Sequence, residues 1–209
     1  TVWIWEATED NEFECLTVLN GHTQDVKFVM WHPSEDLLFS ASYDNTIKVW
    51  GEDGDDWCCV DTLRGHESTV WGLCFGGAGG KRLLSCSDDR SVILWEWCQG
   101  ASGSLHRVLG RGRVGNWKSA SFLKDYHGDP IYSIEWSRDE RGLIFTGCGD
   151  NAIHILRESD DASFLQEGVV ENAHSGDVNC IRWNPGLGLL ASAGDDEVVR
   201  IWKVSSVLD

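Results

Sequence analysis

The feature that most constrains this chain is a pattern that returns four times. His22, His66, His127 and His174 are separated by 44, 61 and 47 residues, and an aspartate follows each histidine after 22 or 23 residues: Asp44, Asp89, Asp150 and Asp196. Six residues past each aspartate stand Trp50, Trp95, Leu156 and Trp202, and four residues before it stand Ser40, Ser85, Thr146 and Ser192. Three internal spacings that agree over four copies mark a structural repeat. A repeat of this period is one supersecondary unit that buries its apolar faces only by stacking on its neighbours.

Inside each copy the runs are short, alternating and rich in β-branched and aromatic residues, as in Val26 to Trp31, Leu37 to Ser42 and Thr46 to Trp50. They read as strands. A fourth strand follows each Trp position, at Trp57 to Leu63, Trp117 to Leu123 and Phe164 to Val170. Four antiparallel strands with apolar residues on both faces need a sheet on either side, and radial packing supplies it, so an all-β propeller is expected. The repeats divide as 21–63, 65–123, 126–170 and 173–209. Residues 1–19 form the end of a further blade, because Thr1 to Trp5 aligns with Thr46 to Trp50. That gives about four and a half blades. A free half-blade exposes an unpaired edge and an apolar face, so the expectation is a fragment of a longer ring. The irregular link, 98–115, is Gly- and Ser-rich, carries Arg107, Arg111 and Arg113, and is expected to be a mobile loop inserted at one rim.

Seventeen basic residues against thirty-four acidic ones give a net charge of −17, which repels phosphate backbones and anionic lipid, so neither nucleic acid nor a membrane is an expected partner. No apolar run is long enough to span a bilayer. Eight cysteines, Cys15, Cys58, Cys59, Cys74, Cys86, Cys98, Cys148 and Cys180, show no C-x-x-C spacing, so no metal, cluster or other cofactor is expected. Their placement in strands suits a reducing cytoplasmic or nuclear compartment.

A hydroxyl residue (Ser40, Ser85, Thr146 or Ser192), a histidine and an aspartate in every copy match the residue types of a catalytic triad. An enzyme builds one such site rather than four. An indole N–H, a hydroxyl, an imidazole and a carboxylate satisfy one another in series, so His22, Ser40, Asp44 and Trp50, His66, Ser85, Asp89 and Trp95, and His174, Ser192, Asp196 and Trp202 are expected to form internal polar chains. His127, Thr146 and Asp150 make a shorter one, because Leu156 lacks the donor. Nucleotide-binding loops, H-E-x-x-H and G-x-S-x-G are absent from the sequence, and no catalytic residue is assigned. Function is expected on the rims. Pleat alternation turns Lys27, Trp71, Tyr132 and Asn179 away from the buried residue before each. With Tyr43, Glu67, Asp88, Arg90 and Asp195 beside the repeat turns, they form the candidate partner-binding set at one end of a central channel.

The repeats resemble WD40 repeats. The segments Leu19-Asn20-Gly-His22-Thr-Gln-Asp25-Val-Lys27, Asp56-Trp57-Cys58-Cys59, Gly65-His-Glu-Ser-Thr-Val-Trp71 and His174-Ser-Gly-Asp177-Val-Asn-Cys180 are similar to something narrower: the WD40 subunits of cytosolic iron–sulfur protein assembly targeting complexes. That resemblance implies a seven-bladed docking platform without catalysis of its own. It would join a small subunit and a large helical-repeat subunit and bring apo-proteins to the machinery that inserts their clusters. A generic WD40 scaffold in ubiquitin ligation, chromatin or signalling is the alternative.

Overall fold

A computed structural model describes residues 1–54, 56–99, 107–108, 113–137, 139, 141–159 and 163–204. Strands β1 (Val2–Ala7) and β2 (Phe13–Leu19) pair as a two-stranded half-blade. The first full blade follows as β3 (Val26–Trp31), β4 (Leu37–Ser42), β5 (Thr46–Asp53) and β6 (Asp56–Arg64), each antiparallel to the next. The second contains β7 (Val70–Gly76), β8 (Arg82–Ser87) and β9 (Val92–Gln99), then the short β10 (Arg107–Val108) and the long β11 (Arg113–Leu123), in the order β10-β11-β9-β8-β7. The third is β12 (Ile131–Trp136), β13 (Leu143–Cys148), β14 (Ile153–Glu158) and β15 (Phe164–Val170), and the fourth is β16 (Val178–Asn184), β17 (Leu189–Gly194) and β18 (Val199–Lys203). The fourth blade has three strands among the described residues, so the count is a little under the four and a half blades read from the repeats.

The inner strands β3, β7, β12 and β16 adjoin in succession, and the outer strands β2, β6 and β11 do likewise, which is the radial arrangement. The core lies between blades rather than within them. Phe39, Val49 and Leu63 of the first blade pack against Leu73, Phe75 and Trp95 of the second. Leu84, Leu94 and Leu123 of the second meet Ile134, Ile144 and Leu156 of the third. Phe145 and Ile155 meet Val178, Ile181 and Leu190. The first three full blades thus bury both faces because each has two neighbours, and that accounts for their doubly apolar strands.

The glycine of the Gly-His step has a physical cause. A Cβ on Gly21 would lie 2.9 Å from Trp50 Cη2, and one on Gly65 would lie 3.0 Å from Trp95 Cη2, so the indole tip needs a bare backbone there. In the third blade, where Leu156 replaces the indole, Tyr126 occupies this step and donates its hydroxyl to the Phe164 carbonyl at 2.8 Å.

The segment 98–115 differs from its expected loop. β9 extends through Gln99, β11 begins at Arg113, and β10 pairs with β11 through Arg107–Val114 and Val108–Arg113, so strand pairing occupies both ends of the segment and part of its middle. Cross-strand hydrogen bonding extends a hairpin for as long as the backbone keeps its register, whatever the glycine content suggests. Residues 100–106 and 109–112, which include Arg111, lie outside the described residues. No helix among the described residues is long and apolar enough to cross a membrane.

Candidate functional site

Three of the four polar chains are complete. In the first blade, Trp50 Nε1 donates to Ser40 Oγ at 2.8 Å, and Ser40 Oγ lies 2.7 Å from His22 Nε2. His22 Nδ1 lies 2.8 Å from Asp44 Oδ2. Since Ser40 receives the indole proton and a carboxylate only accepts, the order of donation runs from Trp50 to Ser40 to His22 Nε2, with Nδ1–H donating to Asp44. The second blade repeats this with Trp95, Ser85, His66 and Asp89 at 2.9, 2.7 and 2.9 Å. The fourth does so with Trp202, Ser192, His174 and Asp196 at 2.8 Å throughout. The aspartates also accept backbone N–H groups across the blade, from Thr23, Glu67 and Ser175.

Burial lowers the pKa of His22 despite Asp44, which favours the neutral imidazole. Burial alone would raise Asp44, but the Thr46 hydroxyl, His22 and the Thr23 N–H together hold it down to about 2. Asp196 falls well below the usual carboxylate range through His174 and then Arg200. The supporting hydroxyls Thr46 and Ser91, each 2.6 Å from its aspartate, lie outside the sequence-derived set. A hydroxyl two residues after the repeat aspartate was the available signal.

The third blade departs from the expected chain. His127 Nε2 lies 2.7 Å from Thr146 Oγ1, but Asp150 pairs with His154 Nε2 at 2.8 Å instead of with His127. His154 stands four residues after the aspartate, where the other blades carry Lys48, Ile93 and Arg200, and its imidazole takes the carboxylate that His127 would have held. Burial first, and His154 alongside, push His127 down to about 3.

The rim residues come together by a different device from pleat alternation. In every blade the pairing register slips on the first strand, between Val26 and Phe28, Val70 and Gly72, Ile131 and Ser133, and Val178 and Cys180. Lys27, Trp71, Tyr132 and Asn179 are therefore the extra residues of β-bulges, which lift them out of the ladder. Each meets the position just before the repeat aspartate. Lys27 Nζ lies 4.8 Å from the Tyr43 ring centre, Trp71 Nε1 donates to Asp88 Oδ1 at 2.5 Å, and Asn179 Nδ2 donates to Asp195 Oδ1. Tyr132 packs over Gly149. Between blades, Tyr43 and Trp71 have ring centres 6.3 Å apart and Trp71 and Tyr132 5.6 Å, both edge-on, and Lys27 Nζ is 5.3 Å from the Trp71 ring. Burial, then Asp177 of the fourth blade, raises the Tyr132 phenol to about 12. A continuous aromatic strip, Tyr43, Trp71 and Tyr132, thus crosses three blades with acidic groups at its edges.

Arg90 and Glu67 lie apart from that strip, at seams between blades. Arg90 Nη1 donates to the Gly128 carbonyl of the next blade at 3.3 Å, and the Glu67 carbonyl accepts from Asn45 Nδ2 at 3.2 Å. Arg90 holds a left-handed backbone, φ 64°, where the equivalent residues are Asn45, Asn151 and Glu197 with φ 66°, 67° and 62°.

Radial sheets, inter-blade cores and the Trp-Ser-His-Asp chains define a WD-repeat β-propeller. The WD domain, G-beta repeat family matches residues 13–51, 57–96 and 167–203, and the gap between the last two matches holds the first three strands of the third blade with its altered chain. The chain is 46% identical over 160 residues to a probable cytosolic iron–sulfur protein assembly protein CIAO1 homolog of Ixodes scapularis, covering 76% of this chain and 46% of the relative. It is 45% identical over 166 residues to a probable cytosolic iron–sulfur protein assembly protein Ciao1 of Aedes aegypti, covering 76% and 48%. With a probable cytosolic iron–sulfur protein assembly protein 1 of Candida albicans the identity is 38% over 264 aligned positions, covering 95% and 69%. This chain belongs to the WD-repeat family of cytosolic iron–sulfur protein assembly proteins. It spans about half the length of the first two of these relatives.

Proposed function

We propose that the protein is a non-catalytic cytoplasmic scaffold in iron–sulfur protein assembly, docking partner subunits and apo-protein clients for cluster insertion. The observation that carries this reading is the aromatic strip on the sheet scaffold, with Tyr43 exposed and Trp71 and Tyr132 half-buried. Rigid aromatic anchors beside charged groups concentrate binding energy at protein interfaces. The names of the relatives supply the pathway. The repeated serines support a role without chemistry: Ser40, Ser85 and Ser192 are almost wholly buried, and each Oγ is already bonded to an indole and an imidazole, which leaves no exposed nucleophile. The test is affinity purification of the protein with Trp71→Ala and Tyr132→Ala together. Retention of the iron–sulfur assembly subunits is expected to fall at least about tenfold with the melting temperature little changed. Undiminished retention removes the strip as the docking site, and capture of a ubiquitin-ligase or chromatin complex instead would move the scaffold to another pathway.

A further inference from the structure

The altered third blade contains a set of groups that a purely structural blade does not need. Cys148, Asp150 and His154 each place one donor atom within 4.8 Å of the others, and Cys148 and His154 are buried. In the same repeat positions the other blades carry Ser42, Ser87 and Gly194 in place of Cys148, and Lys48, Ile93 and Arg200 in place of His154. Only this blade combines a thiol and a second imidazole around the repeat aspartate.

Two buried nitrogens beside this group have no hydrogen-bond partner, His127 Nδ1 and His154 Nδ1. Both histidines are 6% exposed, and their ring centres are 4.4 Å apart. An unpaired buried polar atom costs about 1–3 kcal/mol, so two in one place call for an explanation. His127 keeps the Nε2 contact to its hydroxyl partner, as in the other blades, so its Nδ1 faces the side where His22, His66 and His174 meet their carboxylates. Leu156 sharpens the point. In the other blades the indole N–H occupies the serine oxygen, which then donates to the imidazole. Without that indole, Thr146 Oγ1 can accept from His127 Nε2–H, which leaves a lone pair on Nδ1. His154, donating from Nε2–H to Asp150, likewise keeps its Nδ1 lone pair.

We propose that Cys148, Asp150 and His154, with His127 Nδ1 as fourth donor, form a binding site for a borderline divalent cation of the Zn2+ class. A thiolate, a carboxylate and two imidazoles are the donor types such an ion takes in four-coordinate sites. Ligand-to-ligand spacing around a tetrahedral zinc is about 3.3–3.8 Å at bond lengths of about 2.0–2.3 Å, so Cys148, Asp150 and His154 need to close by no more than about 1–1.5 Å, and His127 Nδ1, outside that group of three, is drawn in to complete the set. Binding releases the thiol proton to solvent and moves the His154 proton from Nε2 to Nδ1, which frees Nε2, the nitrogen beside Asp150, to take the ion; the Cys148 contact to the Asp129 carbonyl, 3.3 Å, is given up. The Asp150 side chain, 25% exposed, is the entry path. A search for paired cysteines misses this set because its ligands follow the blade repeat: a histidine, then Cys, Asp and His at offsets of 21, 23 and 27 residues.

The test uses reduced, chelator-treated whole protein. Titration with Co2+ is expected to give one equivalent of a thiolate-to-cobalt charge-transfer band with tetrahedral d–d absorption, displaced by Zn2+. Free Zn2+ a hundredfold above its Kd should raise the melting temperature by roughly 5–10 °C, reversed by chelator. Cys148→Ser should abolish the charge-transfer band, while Cys58→Ser with Cys59→Ser, which removes the adjacent cysteine pair on β6, should leave it intact. Should Cys148→Ser not fold, His154→Gln keeps the thiol and can still hydrogen-bond Asp150, and is expected to weaken Zn2+ at least about tenfold. Absence of the band in the folded wild type, its survival in Cys148→Ser, its loss with the Cys58 and Cys59 changes, or unaltered Zn2+ affinity in His154→Gln would overturn the assignment.

Discussion

At the scale of single residues, the polar chains tie stability to proton occupancy in one direction. The unfolded chain protonates Asp44 near 3.8, whereas the folded carboxylate resists until about 2. Its contribution is whole above about pH 5 and is lost as the pH falls through the folded pKa. His22, lowered from 6.5 by burial, acts with the same sign, because the unfolded chain takes up that proton first and stability declines as pH drops below 6.5. Denaturant unfolding across this range is expected to show a falling stability that Asp44→Asn makes shallower below pH 5; an unchanged slope would mean that Asp44 carries none of it. Arg90 gives the second prediction at this scale. Its left-handed backbone is strained for a long side chain, and asparagine tolerates the same conformation at positions 45 and 151. Arg90→Asn should raise the melting temperature by roughly 1–3 °C by relieving part of that strain. A fall instead would show that the bond to Gly128 outweighs the strain.

Within one blade, the completeness of the chain decides what a histidine is worth. His66→Ala leaves Ser85 without its acceptor and Asp89 without its imidazole donor, whereas His127→Ala costs one contact to Thr146 and removes an orphan nitrogen. In metal-free buffer His66→Ala is expected to lower the melting temperature by roughly 5 °C more than His127→Ala, at about 1–3 kcal/mol for each polar group left unpaired. Calorimetry of the two variants checks this, and equal losses would remove the chain as a source of stability. The blade was legible in the sequence because strand geometry fixes its spacing: the two strands that bring His66 to Asp89 differ by no more than one residue in length between copies. The exit of Trp71 and Tyr132 was legible, but its cause was not. Alternation and a bulge place the same side chain outside the ladder, and they differ only in cross-strand register, which needs the partner strand. The capture of Asp150 by His154 was hidden for a related reason. Sequence spacing showed which residues the repeat requires, whereas competition between two imidazoles for one carboxylate depends on their distances in space.

For the whole molecule, radial packing has a consequence at each end of the series of blades. Val2 and Ile4 are buried against Leu38 and Trp50 of the first blade, but the opposite face of the half-blade leaves Trp3 52%, Trp5 53%, Phe13 70% and Leu16 56% exposed. Trp5 stands at the repeat position of Trp50, yet among the described residues its sheet has no strand carrying the serine that would accept its indole N–H. At the other end Val199 and Ile201 of β18 are 69% and 63% exposed, and among the described residues β18 has a hydrogen-bonded partner on one side only. Apolar surface of this extent favours association, and an open edge strand can pair with another chain. The net charge of −17 opposes it by mutual repulsion that acts over about 10 Å at moderate salt. The balance predicts reversible self-association of this 209-residue chain that strengthens as salt screens the repulsion. Sedimentation velocity over a concentration series is expected to show the mean mass rising between about 50 mM and about 500 mM salt. Val199→Lys with Ile201→Lys should suppress that rise by charging the apolar edge, as native edge strands are protected. Association that weakens with salt would point instead to ion pairs between the acidic loops and the few basic side chains, and would leave the exposed sheet faces without a part in it.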